Sequence, residues 1–314
     1  MGPEATSSEH RLTRLHVAEL AERSIEQTLG VSRALARLAK ESGEAVLATS
    51  LVRGPAWVIG SRQRRSRFDE TVSVVRRPTT GTAAFVRETA LWHALALPRV
   101  NALLSDATPR TLLNRNVRGF LRGYRGLGIK ANWGGREYFR AVSTPLGLLG
   151  CDLLADGAVL IEVCVGVEES VIVAASGGGG PGTGLSELTD ADPEHVADAV
   201  SRGVADKYGL SIEPLVLPEP RPAEADGPEP TGFVEVIVPI GRLEAAFDRS
   251  SGVSIRGDVL TSNAALAAVE GRATSSLSSG CDLSVELVEP LRDAPFDGAV
   301  VEDVLALLKL VATR

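Results

Sequence analysis

EAVLATSLVRGPAWVIGSRQ, residues 44–63, followed by VVRRPTTGTAAF, residues 74–85, is the stretch on which the fold turns. Val46–Val52 and Ala56–Ile59 are two aliphatic runs of strand length. Arg53-Gly54-Pro55 stands between them, and a Gly-Pro pair interrupts regular structure, so a hairpin or sharp corner is expected there. Val72–Val75 is a further β-branched run. It leads into two adjacent cations, Arg76 and Arg77, and then into a Pro-Thr-Thr-Gly-Thr turn at 78–82.

Upstream, Leu12, Leu15 and Ala18, then Val31, Leu35 and Leu38, fall at helical spacing, which predicts a helix over 10–40 with a break at Gly30. Downstream, 110–128 reads as a basic amphipathic helix ending at Gly126 and Gly128, its arginines a solvated face. Leu146–Leu149, Val159–Val167 and Val171–Ala175 are strand candidates. The glycine-rich run at 177–184 lacks the Gly-Lys-Ser/Thr ending of a phosphate loop and reads as a surface loop. Asp192-Pro193 then caps a helix whose buried stripe is Val196, Val200, Val204 and Tyr208. A Pro/Glu/Ala-rich linker at 221–231 separates residues 1–220 from a smaller unit at 232–314. In that unit, strands are expected at Val234–Pro239 and Leu283–Val288, and helices around Asn263–Glu270 and Val300–Val311. The fold class is therefore α/β (α+β in strict usage), a mixed β-sheet flanked by helices with a small accessory unit.

Composition narrows the function. A net charge of −7 is unsuited to general nucleic-acid or anionic-membrane binding. Cys151, Cys164 and Cys281 are odd in number, widely spaced and without a CxxC, and the four histidines are scattered, so neither a disulfide framework nor a metal site is expected. With no apolar run of membrane-spanning length and no leader-like start, a soluble cytoplasmic location is expected. His93, alone in an apolar run, reads as a hydrogen-bonded core residue.

The order of these motifs, with WGGREYF at 133–139 and TGLSEL at 183–188, resembles the biotin/lipoate–protein ligase family, closest to the lipoate–protein ligases, over roughly residues 40–215. The family signals are a strand pair ending in a V-x-G-R-x-Q-like turn, R-R-x-S-G-G-G-A-V, G-R-N-D, a G-x-K-x-x-G loop and a T-x-L-x-E-L stretch. The run SIRGDVLTSNAALAAVEG at 254–271 looks like the small C-terminal domain of such ligases. The resemblance implies an acyl–protein ligase: ATP and magnesium activate a small carboxylic acid, which is passed to a lysine of a lipoyl-type carrier domain. It nominates Arg76, Arg77, Thr80, Gly81, Thr82, Gly135, Arg136 and Glu137 as ligand contacts. Arginines neutralise phosphate, and glycine lets backbone N–H groups approach a ligand.

Against that pattern the chain departs at several positions. One glycine of the triplet remains, Gly81, and Glu137-Tyr138 replaces Asn-Asp. The lysine loop is the uncharged STPLGLLGC at 143–151, and no lysine occurs between Lys130 and Lys207. Without an ammonium group to hold the acyl and phosphate oxygens, standard adenylation is not expected. Three functions follow: a degenerate member that binds an acyl group, nucleotide or carrier domain; an active ligase or transferase with a rewired site, Cys151 being the candidate nucleophile; or a structural assembly subunit.

Overall fold

The computed structural model describes residues 12–69, 71–172, 182–217, 229, 231–287, 291 and 301–313. The first expectation it corrects is the helix over 10–40. Arg14–Glu22 is a strand, β1, and the helix α1 spans Ile25–Ser42. Strand β1 lies between β2 (Ala45–Arg53) and β11 (Ser211–Leu215), parallel to both, with its register shifted between Ala18 and Ala21. Two neighbouring backbones satisfy its polar groups, and that pairing overrides a weak local period. The helix begins at a capping box: Gln27 N donates to Ser24 Oγ at 3.2 Å and Ser24 N donates to Gln27 Oε1 at 3.0 Å. Gly43 closes it in the left-handed conformation.

The corner at Gly54-Pro55, a cis peptide, takes the chain out of the large sheet rather than round a hairpin. β3 (Ala56–Ile59), β4 (Ser73–Arg76) and β5 (Ala84–Val86) form a small sheet ordered β4-β3-β5. β6 (Thr89–Leu97), β7 (Ala131–Asn132), β8 (Tyr138–Ala141), β9 (Thr144–Leu153) and β10 (Val159–Gly166) complete a mixed eight-stranded sheet, ordered β11-β1-β2-β6-β10-β9-β8-β7. Val171 and Ile172 are not in a strand, and 173–175 lie outside the described residues.

Each face of the large sheet is covered. Helices α2 (Leu112–Gly126) and α3 (Pro193–Tyr208) bring Phe120, Tyr124, Val200 and Val204 into one cluster with Leu47, Leu95 and Ile161. Alternate residues of the same strands point the other way: Val46, Ala94 and Leu160 pack with Leu35 of α1, and Trp92 and Cys164 pack with Val58 and Val86 of the small sheet. The glycine-rich run lies outside the described residues up to 181, as does the linker apart from Glu229 and Thr231.

After residue 231, β12 (Val234–Val238), β13 (Gly241–Asp248) and β14 (Gly252–Gly257) form an antiparallel sheet. Helices α4 (Asn263–Ser279), α5 (Leu283–Glu286) and α6 (Val301–Ala312) follow. Leu283–Glu286 is thus helical, not the start of a strand; Leu283 and Leu287, four residues apart, both enter the core. Leu243, Leu260 and Val304 of this unit belong to the same apolar cluster as Phe120, so the core runs across both parts of the chain.

Candidate functional site

The turn after β4 folds back onto β9. Thr80 N donates to Cys151 O at 3.0 Å, an isolated β-bridge. Inside this closure lies the Arg77 guanidinium, fully buried. Its Nη2 donates to Thr80 O at 3.0 Å, Thr82 O at 2.9 Å and Leu149 O at 3.3 Å, while Nε and Nη1 have no hydrogen-bond partner. Burial pushes the guanidinium pKa down, and the charge of Glu162 opposes that shift. Glu162, buried in β10, accepts from Trp92 Nε1 at 3.2 Å and from the Thr79 hydroxyl.

Two glycines show how tightly this space is filled. Gly81 has φ +113°, and a Cβ there would lie 2.5 Å from Arg77 Nη2 and 2.7 Å from Leu149 O. A Cβ on Gly150 would lie 2.2 Å from Thr79 Oγ1 and 3.0 Å from Arg77 Cζ. The absent Cβ atoms make room for the protein's own groups. The Thr80 hydroxyl, likewise, donates to Cys151 O at 2.8 Å, contacts Thr261 O and accepts from Thr261 N at 3.0 Å.

The other nominated residues, Gly135 apart, are held by partners of their own. Arg76 donates through Nη1 to the carbonyls of Gly60 and Ser61, 3.2 Å each, and of Gln63, and through Nη2 to Glu229 at 3.3 Å. Gly135 sits on an exposed turn at φ +75° with open space around it. Arg136 grips the buried Glu137 with two bonds of 3.0 and 3.2 Å and also donates to Pro239 O at 2.9 Å. The Glu137 hydrogen bond, first among the causes, raises the Arg136 pKa. All four lysines are exposed, and Lys130 lies before β7, its carbonyl bonded to Val142 N at 3.0 Å.

Cys151 faces the other way, towards α2. It borders an apolar cavity of about 180 Å³ with Leu112, Leu113, Leu153, Leu260 and Thr261. Cys164 is held as a thiol, burial pushing its pKa up to about 12. His93 bonds through Nδ1 to Thr49 Oγ1 at 2.8 Å and through Nε2 to Tyr124 OH at 3.0 Å, a satisfied core histidine.

Reading the sequence missed the groups that close the site from the C-terminal side. Asn263, at the start of α4, donates to both carboxylate oxygens of Asp152 at 2.8 and 3.0 Å and accepts from Arg62 Nε at 2.7 Å. Arg62 also pairs with Glu270 at 2.9 Å, and Arg64 with the buried Glu244 at 3.1 Å. The run SRQRRSR at 61–67 carried a signal, four arginines in seven residues facing an acidic unit. Glu162 carried another, a lone charge in an apolar run.

The mixed sheet flanked by helices has the fold of solved lipoate–protein ligases. Lipoate-protein ligase A bound with ATP matches 65% of this chain and 90% of its own, with a TM-score of 0.53 at 16% identity. A bi-partite lipoate protein ligase from Thermoplasma acidophilum, described with its E2 lipoyl domain, matches 67% and 89%, with a TM-score of 0.52 at 14% identity. LipL1 of P. falciparum in complex with lipoate matches 96% of this chain and 100% of its own, with a TM-score of 0.61 at 13% identity. No sequence family matches the chain. No curated protein matches it either. Among the described residues no helix is long and apolar enough to cross a membrane, and no three His, Cys, Asp or Glu side chains gather as metal ligands.

Proposed function

We propose that this ligase-like chain binds without joining: it has lost adenylation and retains contact with a lipoyl-type carrier domain or a small carboxylic acid. The observation that supports this is the buried Arg77 guanidinium, bonded to three carbonyls where Gly81 would otherwise receive a ligand. An acyl-adenylate needs backbone N–H groups and cations turned towards its phosphate. Here Thr80 is bonded to Cys151 and Thr261, and Glu137 is held by Arg136 rather than presented to magnesium. The residues at this place do not fit ATP and magnesium, and no ammonium group lies among them. On this reading Arg76, Arg77, Thr80, Gly81, Thr82, Arg136 and Glu137 hold the protein closed.

The test is direct. The chain is mixed with ATP, magnesium, lipoate or octanoate, and a lipoyl domain, and the intact mass of the domain is read. The expected result is an unchanged mass; a gain equal to the acyl group would overturn the reading. A second reading, transfer through a thioester, is favoured by one observation: Cys151 borders a cavity that could hold a short acyl chain. A mass gain abolished in Cys151→Ser would establish it. A melting temperature unmoved by octanoate, ATP and lipoyl domain alike would point instead to an assembly subunit.

A further inference from the structure

The arginines of α2 do more than face solvent. Arg118, Arg122 and Arg125 lie on one stripe of the helix, at i, i+4 and i+7. With Lys207 from the end of α3, they line a groove of about 570 Å³ running from α2 to Asn132 and Trp133. All four cations are exposed, and no acidic residue lines the groove. Among the described residues, the one carboxylate paired with them is Asp206, 3.8 Å from Arg122 and itself exposed. On a chain of net charge −7, this is a local reversal of sign.

Two further features narrow what fits. The guanidinium groups are oriented from behind: Arg118 donates to Asn114 O and Oδ1 at 3.1 and 3.2 Å, and Arg125 Nε donates to Ala131 O at 2.8 Å. A guanidinium has five N–H groups, so each keeps donors to offer a carboxylate. Val117 and Leu121 floor the groove but are 1% and 7% exposed, so the apolar surface it offers is that of the half-buried Trp133, against which an aliphatic side chain can rest. The overall negative charge disfavours a long polyanion more than a short acidic segment.

We propose that the groove between α2 and β7 is a docking site for an acidic polypeptide segment of a partner protein, carboxylates meeting Arg118, Arg122, Arg125 and Lys207 and an aliphatic side chain resting on Trp133. This goes beyond the reading above, because it holds whether or not the chain activates a carboxylate.

The test uses the full chain and a fluorescently labelled short peptide of Glu and Leu, read by anisotropy. The expected result is binding that weakens with salt, that vanishes for the peptide with Gln in place of Glu, and that falls about tenfold or more in Arg118→Glu/Arg122→Glu. The same double reversal on α1, Arg33→Glu/Arg37→Glu, should leave it unchanged. If the α2 variant does not fold, Arg118→Gln/Arg122→Gln takes its place. Equal binding of the Gln peptide, or loss of binding in both variants alike, would overturn the proposal. So would tighter binding of tripolyphosphate or single-stranded DNA, either of which would reassign the groove to a phosphate ligand.

Discussion

At the scale of single residues, two buried groups make sharp predictions. His93 is fully buried between Thr49 and Tyr124, and burial lowers its pKa from the ordinary 6.5 to about 3. The folded protein therefore holds the imidazole neutral while the unfolded chain protonates it below 6.5. Its contribution to stability is complete above pH 6.5 and is lost as pH falls from 6.5 towards 3. By pH 5 the loss should be about 2 kcal/mol, near 1.4 kcal/mol per pH unit. Urea unfolding at pH 8 and pH 5 measures it, and His93→Gln should flatten the difference; an equal loss in the variant would assign it to other groups. Gly81→Ala should cost about 2–3 kcal/mol in the same assay, because the new Cβ meets a packed guanidinium and a backbone carbonyl at a positive φ. Much at this scale is written in the sequence: the arginine pair, the single remaining glycine, the uncharged run at 143–151 and the lone His93 are all visible, although 144–151 forms part of strand β9 and not a loop. The direction in which Arg77 points is not, because one of its acceptors, Leu149 O, lies 72 residues away and only the folded sheet brings it near.

At the scale of elements, the α2–α3 contact decides a sign. Alanine is favoured over glycine inside a helix by about 1 kcal/mol. At Gly123 that preference should be reversed, since a Cβ would lie 2.6 Å from Val200 Cα and 2.7 Å from Ala199 O, both backbone atoms that cannot move without separating the helices. Gly123→Ala should thus destabilise by about 2 kcal/mol or more. Gly271→Ala, inside α4 with open space around it, should stabilise by about 0.5–1 kcal/mol. Thermal melts of the two variants, moving in opposite directions, check both statements together. The helices α2 and α3 were legible because apolar spacing and glycines at their C-terminal ends agreed, with the Asp192 cap added on α3. β1 was not, because a spacing of three suits a helix as well as a bulged strand; the Ser24–Gln27 capping box marked the true helix start. β13 and β14 escaped notice because charged residues sit among their apolar ones: Arg242 and Glu244 on β13, and Arg256 on β14, find ionic partners in the fold.

At the scale of the whole molecule, the C-terminal unit is a wall of the candidate site as well as an appendage. Thr261 bonds to Thr80, Asn263 to Asp152, and Arg62 to Glu270, so α4 and the loop before it seal the turn that carries Arg77. None of these pairs is readable along the chain, since each joins positions separated by 111 residues or more. Buried residues on both sides of 221–231 belong to one apolar cluster. Arg62 is the test of that coupling. Its guanidinium and the Glu270 carboxylate are 14% and 15% exposed, and Glu270 also accepts from Ile255 N at 2.7 Å. Removing the cation leaves a mostly buried carboxylate with the Ile255 N–H and a distant Arg256 at 3.6 Å. Arg62→Ala should therefore cost about 2 kcal/mol, below the 3–5 kcal/mol of a fully buried pair because some water still reaches it. Hydrogen exchange locates the effect: protection should fall by about tenfold or more in β14 and α4 while β6 and β10 keep theirs, because opening at the seam precedes global unfolding. If all four elements lost protection equally, the seam would be no weaker than the core. The Arg77 turn would then owe its closure to the large sheet alone.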